Sequence, residues 1–211
     1  MTPQGTDSGS DIQLPEPRRS GEVSVSEAID TRRSRRSFRN EALDMEAVSQ
    51  LLWAAGGLTD AESGYRAAPS AGATYPLTVY LTVREGGVEN LDAGVYRFRE
   101  SGHTLETRSS DAVHGQLREA ALDQEWVERA PINVVLSAID ERTTARYGER
   151  GRLRYVPMEA GHAGQNIYMQ AEALGLGTVA VGAFDDRAVT SVLGLGSEER
   201  PLYLYPIGHP A

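Results

Sequence analysis

The chain has no cysteine. Disulfides, thiolate nucleophiles, zinc–sulfur sites and iron–sulfur clusters are therefore excluded together. It also has no lysine: its 21 basic residues are all arginine. That removes a Schiff-base lysine, a phosphate-loop lysine and a lysine general base. No apolar run approaches the ~20 residues a membrane helix needs. The N-terminus lacks the basic-then-apolar pattern of a signal segment, so the expected compartment is cytoplasmic. Thirty acidic residues set against 21 basic ones leave a formal net charge of −9. A balance that acidic argues against general nucleic-acid binding, which needs a basic face. At 211 residues the chain suits one domain, and roughly 70% of its unfolded surface can be buried.

Residues 1–22 are rich in Gly, Ser, Pro, Asp and Gln and offer little to bury. They read as a mobile or surface-draped arm, with the domain proper at 23–211. Ser24-Val25-Ser26-Glu27 has capping-box spacing and predicts a short helix to about Arg33. Val48, Leu51, Leu52 and Ala55 recur at helical spacing and predict a helix over 44–55, stopped at Gly56-Gly57. Residues 58–76 read as a loop. Leu77, Val79, Leu81 and Val83 alternate with Thr78, Tyr80 and Thr82, a strand pattern. Segments 94–98 and 103–107 flank Ser101-Gly102 as a hairpin. A helix is expected over about 111–122, and a second short one through Trp126. The apolar run Ile132–Ile139 reads as a central strand covered on both faces. Residues 140–156 read as charged and irregular. The longest helix is expected over 158–174, followed by a strand at 178–181, a helix at 185–193 and a final strand at 202–207. The sum is an α+β domain: a mainly antiparallel central sheet flanked by helices.

Three segments could carry chemistry. Arg32-Arg33-Ser34-Arg35-Arg36 puts four guanidiniums and a hydroxyl within five residues. A guanidinium binds phosphate through two parallel N–H bonds and keeps its charge. A solvated basic run or a nucleic-acid patch is the plain alternative; the acidic remainder of the chain and the run's position inside the domain weigh against it. Pro69-Ser70-Ala71-Gly72 is a small-residue loop that lets backbone approach a flat ligand. Gly175-Leu176-Gly177-Thr178-Val179-Ala180 fits a dinucleotide fingerprint in letters only. A helix precedes it and a strand follows, the reverse of what that fingerprint needs, so Gly175 reads as a helix-ending glycine. The four histidines form no helical zinc motif, and there is no nucleophile elbow. No metal site is expected.

Taken in order, several segments resemble the FMN-dependent nitroreductase superfamily, and within it the SagB-type, azoline-oxidising dehydrogenases. They are Arg32-Arg33-Ser34-Arg35-Arg36-Ser37-Phe38, Ala68–Pro76, Gly94-Val95-Tyr96-Arg97-Phe98, Arg146-Tyr147-Gly148, Glu159–Asn166, Val181–Asp185 and Pro206–Pro210. The resemblance implies a nitroreductase-like fold and an intertwined homodimer with FMN at the subunit interface. It implies that Arg32, Arg33, Ser34 and Arg36 hold the flavin. Pro69, Ser70, Ala71 and Gly72 would reach it from the partner chain, and Gly182 and Ala183 would lie by the reactive ring edge. His209 is assigned to the same cofactor site. Arg36, Tyr147 and Arg146 are the catalytic candidates. The implied chemistry is two-electron hydride transfer in a ping-pong scheme, with NAD(P)H as donor and a quinone, nitroaromatic or other small organic acceptor. A peptide-modifying partner and azoline oxidation form one alternative; Arg146 stands where such relatives carry a lysine, and arginine is a poor proton shuttle. A flavin carrier or sensor without turnover is another.

Overall fold

The computed structural model describes residues 11–211. Among these residues nine strands and seven α-helices alternate. Seven strands form one sheet, in the order β1 (Ile12–Gln13), β6 (Thr104–Ser109), β5 (Gly94–Arg99), β4 (Leu77–Val83), β7 (Ile132–Ile139), β9 (Glu199–Gly208), β8 (Gly177–Thr178). Every adjacent pair is antiparallel. The remaining two, β2 (Leu58–Asp60) and β3 (Tyr65–Arg66), make a separate ribbon.

Both faces of the sheet are covered. Leu77, Val79, Leu81 and Val83 of β4 point with Ile132, Val134 and Leu136 of β7 into one core. Helices α2 (Met45–Gly56) and α6 (Val156–Ala173) close that core, and α1 (Val25–Thr31) packs on α6. Tyr80, Val95, Val135 and Leu204 point the other way, beneath α3 (His114–Ala120), α4 (Glu125–Arg129) and α7 (Asp186–Leu193). The alternation in β4 is therefore real, yet its polar face is also buried. Tyr80 resolves this by donating its hydroxyl to Glu199 at 2.7 Å. Thr82 bonds His114 at 2.9 Å.

Local rules explain the helix ends. Ser24 caps α1 by accepting from the Glu27 amide at 3.1 Å, as the capping-box spacing predicts. Asp44 and Asp185 cap α2 and α7 in the same way. Gly175 follows α6 at φ +68°, the left-handed position that favours glycine.

Four expectations need correction. Residues 140–156 are not irregular: they form α5 (Glu141–Tyr147) and a π-helical turn (Gly151–Tyr155) that runs straight into α6. Only Thr143 of α5 and Gly151 of the turn are buried, so no apolar stripe exists for periodicity to find. The loop at 58–76 contains the β2–β3 ribbon. The strand expected at 178–181 shrinks to two residues plus a bridge from Val181 to Leu204. The expected arm has two parts. Residues 1–10 lie outside the described residues. Beyond them, Ile12 pairs with Leu105 at the sheet edge and Leu14 is 2% exposed, so the fold takes in residues on the N-terminal side of 23.

Close packing sets one prediction. A Cβ placed on Gly164 of α6 would lie 1.9 Å from the hydroxyl of Tyr205, itself 2% exposed. Gly164→Ala is expected to cost about 2 kcal/mol through overpacking. A urea midpoint equal to that of the parent protein would show that Tyr205 yields freely.

Candidate flavin and substrate site

The arginine run lies in extended backbone after α1, alongside the edge of the sheet. Ser34 bridges Thr178, and the Arg35 amide donates to the Thr178 carbonyl at 2.9 Å. Farther on, Arg39 donates to the His209 carbonyl at 2.9 Å, and Phe38 bridges Pro210. The run thus acts as an irregular strand between β8 and the C-terminal residues.

In extended backbone alternate residues face opposite ways, and the run divides accordingly. Ser34 shares a 3.0 Å hydrogen bond with the hydroxyl of Tyr168 on α6. The same hydroxyl accepts the Ala180 amide at 2.8 Å. The Arg32 guanidinium lies over the Tyr168 ring, 5.1 Å from its centroid. Arg36 lies over Trp126 of α4 at 5.5 Å. Gln124, next to that helix, donates to the Ala183 carbonyl at 2.9 Å. Gly182 and Ala183 are exposed, and the ring of Tyr203 packs 3.4 Å from where a Gly182 Cβ would be. Arg32, Ser34, Tyr168, Arg36, Trp126 and the Gly182–Ala183 turn are thereby linked in one neighbourhood. Arg33 turns back instead, donating to the Asp30 and Arg32 carbonyls at 2.7 and 2.8 Å. Arg35 packs flat against Gly177.

One carboxylate meets the run at its backbone, Glu172 accepting the Arg33 amide at 3.2 Å. The guanidiniums have no such partner: among the described residues, none of these four arginines forms an ion pair with a carboxylate, although Arg39 next door pairs with Glu41 at 3.0 Å. The Nε1 donor of Trp126 is buried without a partner. Uncompensated guanidiniums, a spare indole donor and an exposed turn with almost no side chain suit an anionic ligand with a flat, acceptor-rich ring.

A second cluster forms around the small-residue loop. A 3₁₀ turn spans Ala71–Ala73, with Gly72 at φ +61°. Ala73 and Tyr75 also have positive φ, 53° and 44°, which costs energy for residues with a Cβ. The Ser70 hydroxyl accepts the Tyr75 amide at 2.9 Å and braces the turn. Arg146 donates to the Gly72 carbonyl at 3.3 Å. A Cβ on Gly72 would lie 2.4 Å from the Tyr147 hydroxyl, so only glycine fits there. Glu159 of α6, 5% exposed, lies beside Ser70 of the loop. Its burial pushes the carboxyl up to about 7, against smaller opposing effects from Ser70 and Arg66.

The structure therefore brings Pro69–Gly72 together with Arg146 and Tyr147, and Arg32, Ser34 and Arg36 with Gly182–Ala183. Among the described residues no hydrogen bond, ion pair or ring contact joins the two clusters. Their markers on α6, Glu159 and Tyr168, are nine residues apart, about 14 Å along the helix. His209 belongs with neither; its ring lies 3.7 Å from Glu41. Sequence reasoning missed Tyr168, Trp126 and Glu159. Tyr168 and Trp126 pass in the sequence for ordinary core aromatics, and Glu159 for one exposed helix acid among several.

Comparison with known proteins identifies the family. The model of the nitroreductase family matches residues 29–209. The Methanocaldococcus jannaschii protein MJ1384, which carries a nitroreductase name, is 42% identical over 198 residues, 94% of this chain and 96% of that protein. A Ralstonia eutropha structure, also named as a nitroreductase, superposes with a TM-score of 0.82 at 29% identity, covering 99% of this chain and 93% of the other. A chain of the Escherichia coli microcin synthetase McbBCD complex, solved with truncated pro-MccB17 bound, gives 0.73 at 26% identity over 94% and 77%. The chain therefore belongs to the nitroreductase family, a family of oxidoreductases.

Proposed function

We propose that the protein is an FMN-dependent oxidoreductase that moves two electrons from NAD(P)H to a small organic acceptor. The observation that carries this reading is the uncompensated arginine run beside the bare Gly182–Ala183 turn. Arg32 and Ser34 would hold the phosphate and ribityl chain, while Arg33, turned back onto the Asp30 carbonyl, stays outside the site. Arg36 would hold the polar ring edge, where a fixed cation in a dry site stabilises negative charge. Bound FMN supplies hydride acceptance and donation. The protein's own part is position and charge: Gly182 and Ala183 leave open the space a donor or acceptor must enter, while Tyr147 offers a phenol proton at the second cluster.

Two chains complete the site in this reading. The Pro69–Gly72 loop of one protomer reaches the arginine run of its partner, which accounts for their separation within one chain. Val25 and Ile29 on α1, 74% and 59% exposed, give such a dimer apolar surface to cover.

A second reading has its own support. Arg146 and Tyr147 lie against the small-residue loop, and the chain resembles part of a peptide-modifying synthetase. SagB-type azoline oxidation with a peptide-binding partner would use the same pocket.

The test begins with colour. Purified protein titrated with FMN is expected to hold about one flavin per chain and to scatter light as a dimer. NADH or NADPH should bleach it, and a quinone or nitroarene should restore it. Oxidation of an azoline-bearing peptide in place of those acceptors would select the second reading. A chain that stays colourless in excess FMN, or a flavin-loaded monomer, would refute the corresponding part.

A further inference from the structure

Helix α5 and the π-helical turn after it carry a second set of unanswered cations. Arg142, Arg146, Arg150 and Arg154 are all exposed, and among the described residues none has a carboxylate partner. Arg142 and Arg146 stand four apart on α5, where like charges repel. That repulsion persists in a chain with an excess of nine acidic residues.

Three of these guanidiniums, those of Arg142, Arg146 and Arg150, are held in place and still unsatisfied. Arg142 donates to the Tyr75 carbonyl at 3.2 Å and Arg146 to the Gly72 carbonyl at 3.3 Å. Both carbonyls belong to the loop with three positive φ angles. Each guanidinium carries five N–H donors, so one bond apiece fixes its direction and leaves most of its donors free. Arg150 donates to the Tyr155 hydroxyl at 2.9 Å. The Tyr147 and Tyr155 rings meet edge to face at 5.0 Å, with Arg146 and Arg150 over them. The π-helical turn at Gly151–Tyr155 exposes Arg154 on the same segment; such turns recur at functional sites.

We propose that this segment, with Arg146 and Arg150 over the Tyr147–Tyr155 pair, Arg142 tied to the loop that also holds Arg146, and Arg154 exposed on the adjoining turn, binds a carboxylate of the substrate, so that the enzyme selects acidic acceptors over neutral ones. The inference rests on the reading of the protein as a flavin-dependent oxidoreductase and names its substrate class. Locally focused positive charge on an otherwise acidic molecule draws an anion to that segment in particular, and fixed guanidiniums favour the planar carboxylate. The carboxylate can come from a free aromatic acid or from an acidic side chain in a peptide.

Calorimetry on the protein saturated with FMN, which keeps the probes off the phosphate site, separates the cases. One pair of probes is 4-nitrobenzoate and 4-nitrobenzamide. The other is a terminally blocked Gly-Glu-Gly peptide and its Gly-Gln-Gly counterpart. In at least one pair the carboxylate is expected to bind about tenfold more tightly, and roughly 0.5 M salt should erase most of that preference. The pair with the larger ratio identifies the source. The triple variant Arg142→Gln, Arg150→Gln, Arg154→Gln should bring the ratio below about twofold; glutamine keeps an N–H for the Tyr75 carbonyl. Should the triple variant fail to fold, Arg154→Gln alone, which loses no hydrogen bond among the described residues, should still lower the ratio. Equal affinity within both pairs, or an unchanged ratio in the variants, overturns the proposal. A chain that takes up no FMN would instead defeat the flavin reading, while the heats would still report the carboxylate preference.

Discussion

Replacing Arg36 by alanine is expected to weaken FMN binding about 100-fold, or to slow reduction of bound flavin comparably, and to leave the fold in place. The contrast follows from what Arg36 touches. It is exposed, has no carboxylate partner among the described residues, and its one ring contact is with Trp126 at 5.5 Å. An exposed cation–π contact is worth about 0.5–1 kcal/mol, so the chain itself loses little. Removing a guanidinium from a desolvated anion leaves that charge buried and unpaired, which costs about 2–5 kcal/mol, well above the structural loss. Arg39→Ala is the matched control, because Arg39 already pairs with Glu41 at 3.0 Å. Fluorescence titration with FMN, stopped-flow reduction and a urea midpoint separate the effects. Unchanged affinity together with an unchanged reduction rate would contradict the assignment. A collapse of the urea midpoint would mean that Arg36 belongs to the fold.

The parts of the fold legible in the sequence are those whose side chains repeat. Val48, Leu51, Leu52 and Ala55 mark α2, and the run Ile132–Ile139 marks a strand buried on both faces. Caps were legible because Ser24, Asp44 and Asp185 act on amides three residues away. Helix α5 was hidden for the opposite reason: Thr143 is its one buried residue, and it is held by Arg142 and Arg146 on loop carbonyls far along the chain. The anion site shows the same limit. Four arginines in five residues announce positive charge, but spacing does not say which are free. The structure turns Arg33 back onto the end of α1 and lays Arg35 against Gly177, leaving Arg32 and Arg36 on aromatic faces. Tyr168 ties Ser34 to Ala180 by two hydrogen bonds; nothing local in its sequence distinguishes it from the core tyrosine Tyr205.

Two buried ionisable groups set opposite pH responses, and removing one should expose the other. His114 is buried on the α3 face. Its Nδ1 lies 3.4 Å from the Glu128 carbonyl, and its Nε2 lies 2.9 Å from the Thr82 hydroxyl and 3.4 Å from the Asn133 amide nitrogen. A neutral ring that donates from Nδ1 to the carbonyl and accepts at Nε2 satisfies this set; a second ring proton would face the Asn133 amide. Burial above all lowers its pKa to about 4 from the usual 6.5. As pH falls from 6.5 to 4, the unfolded chain takes up a proton that the folded chain refuses, so about 3 kcal/mol of stability is lost. Glu159 runs the other way. Burial raises it from 4.5 to about 7. As pH rises from 4.5 to 7, the unfolded carboxyl ionises while the folded one stays protonated, and again about 3 kcal/mol is lost. Between roughly pH 4.5 and 6.5 the two slopes nearly cancel, since each is about 1.4 kcal/mol per pH unit with opposite sign. Glu159→Gln keeps the shape and removes the ionisation. The variant should exceed the parent protein in stability at pH 8 by about 3 kcal/mol, and its stability should fall with acid where the parent curve is flat. Urea midpoints at pH 4.5, 5.5, 6.5 and 8 read both effects. If the variant keeps the parent's pH dependence, Glu159 is already ionised in the folded protein near neutrality, and the loop at Ser70 faces a carboxylate.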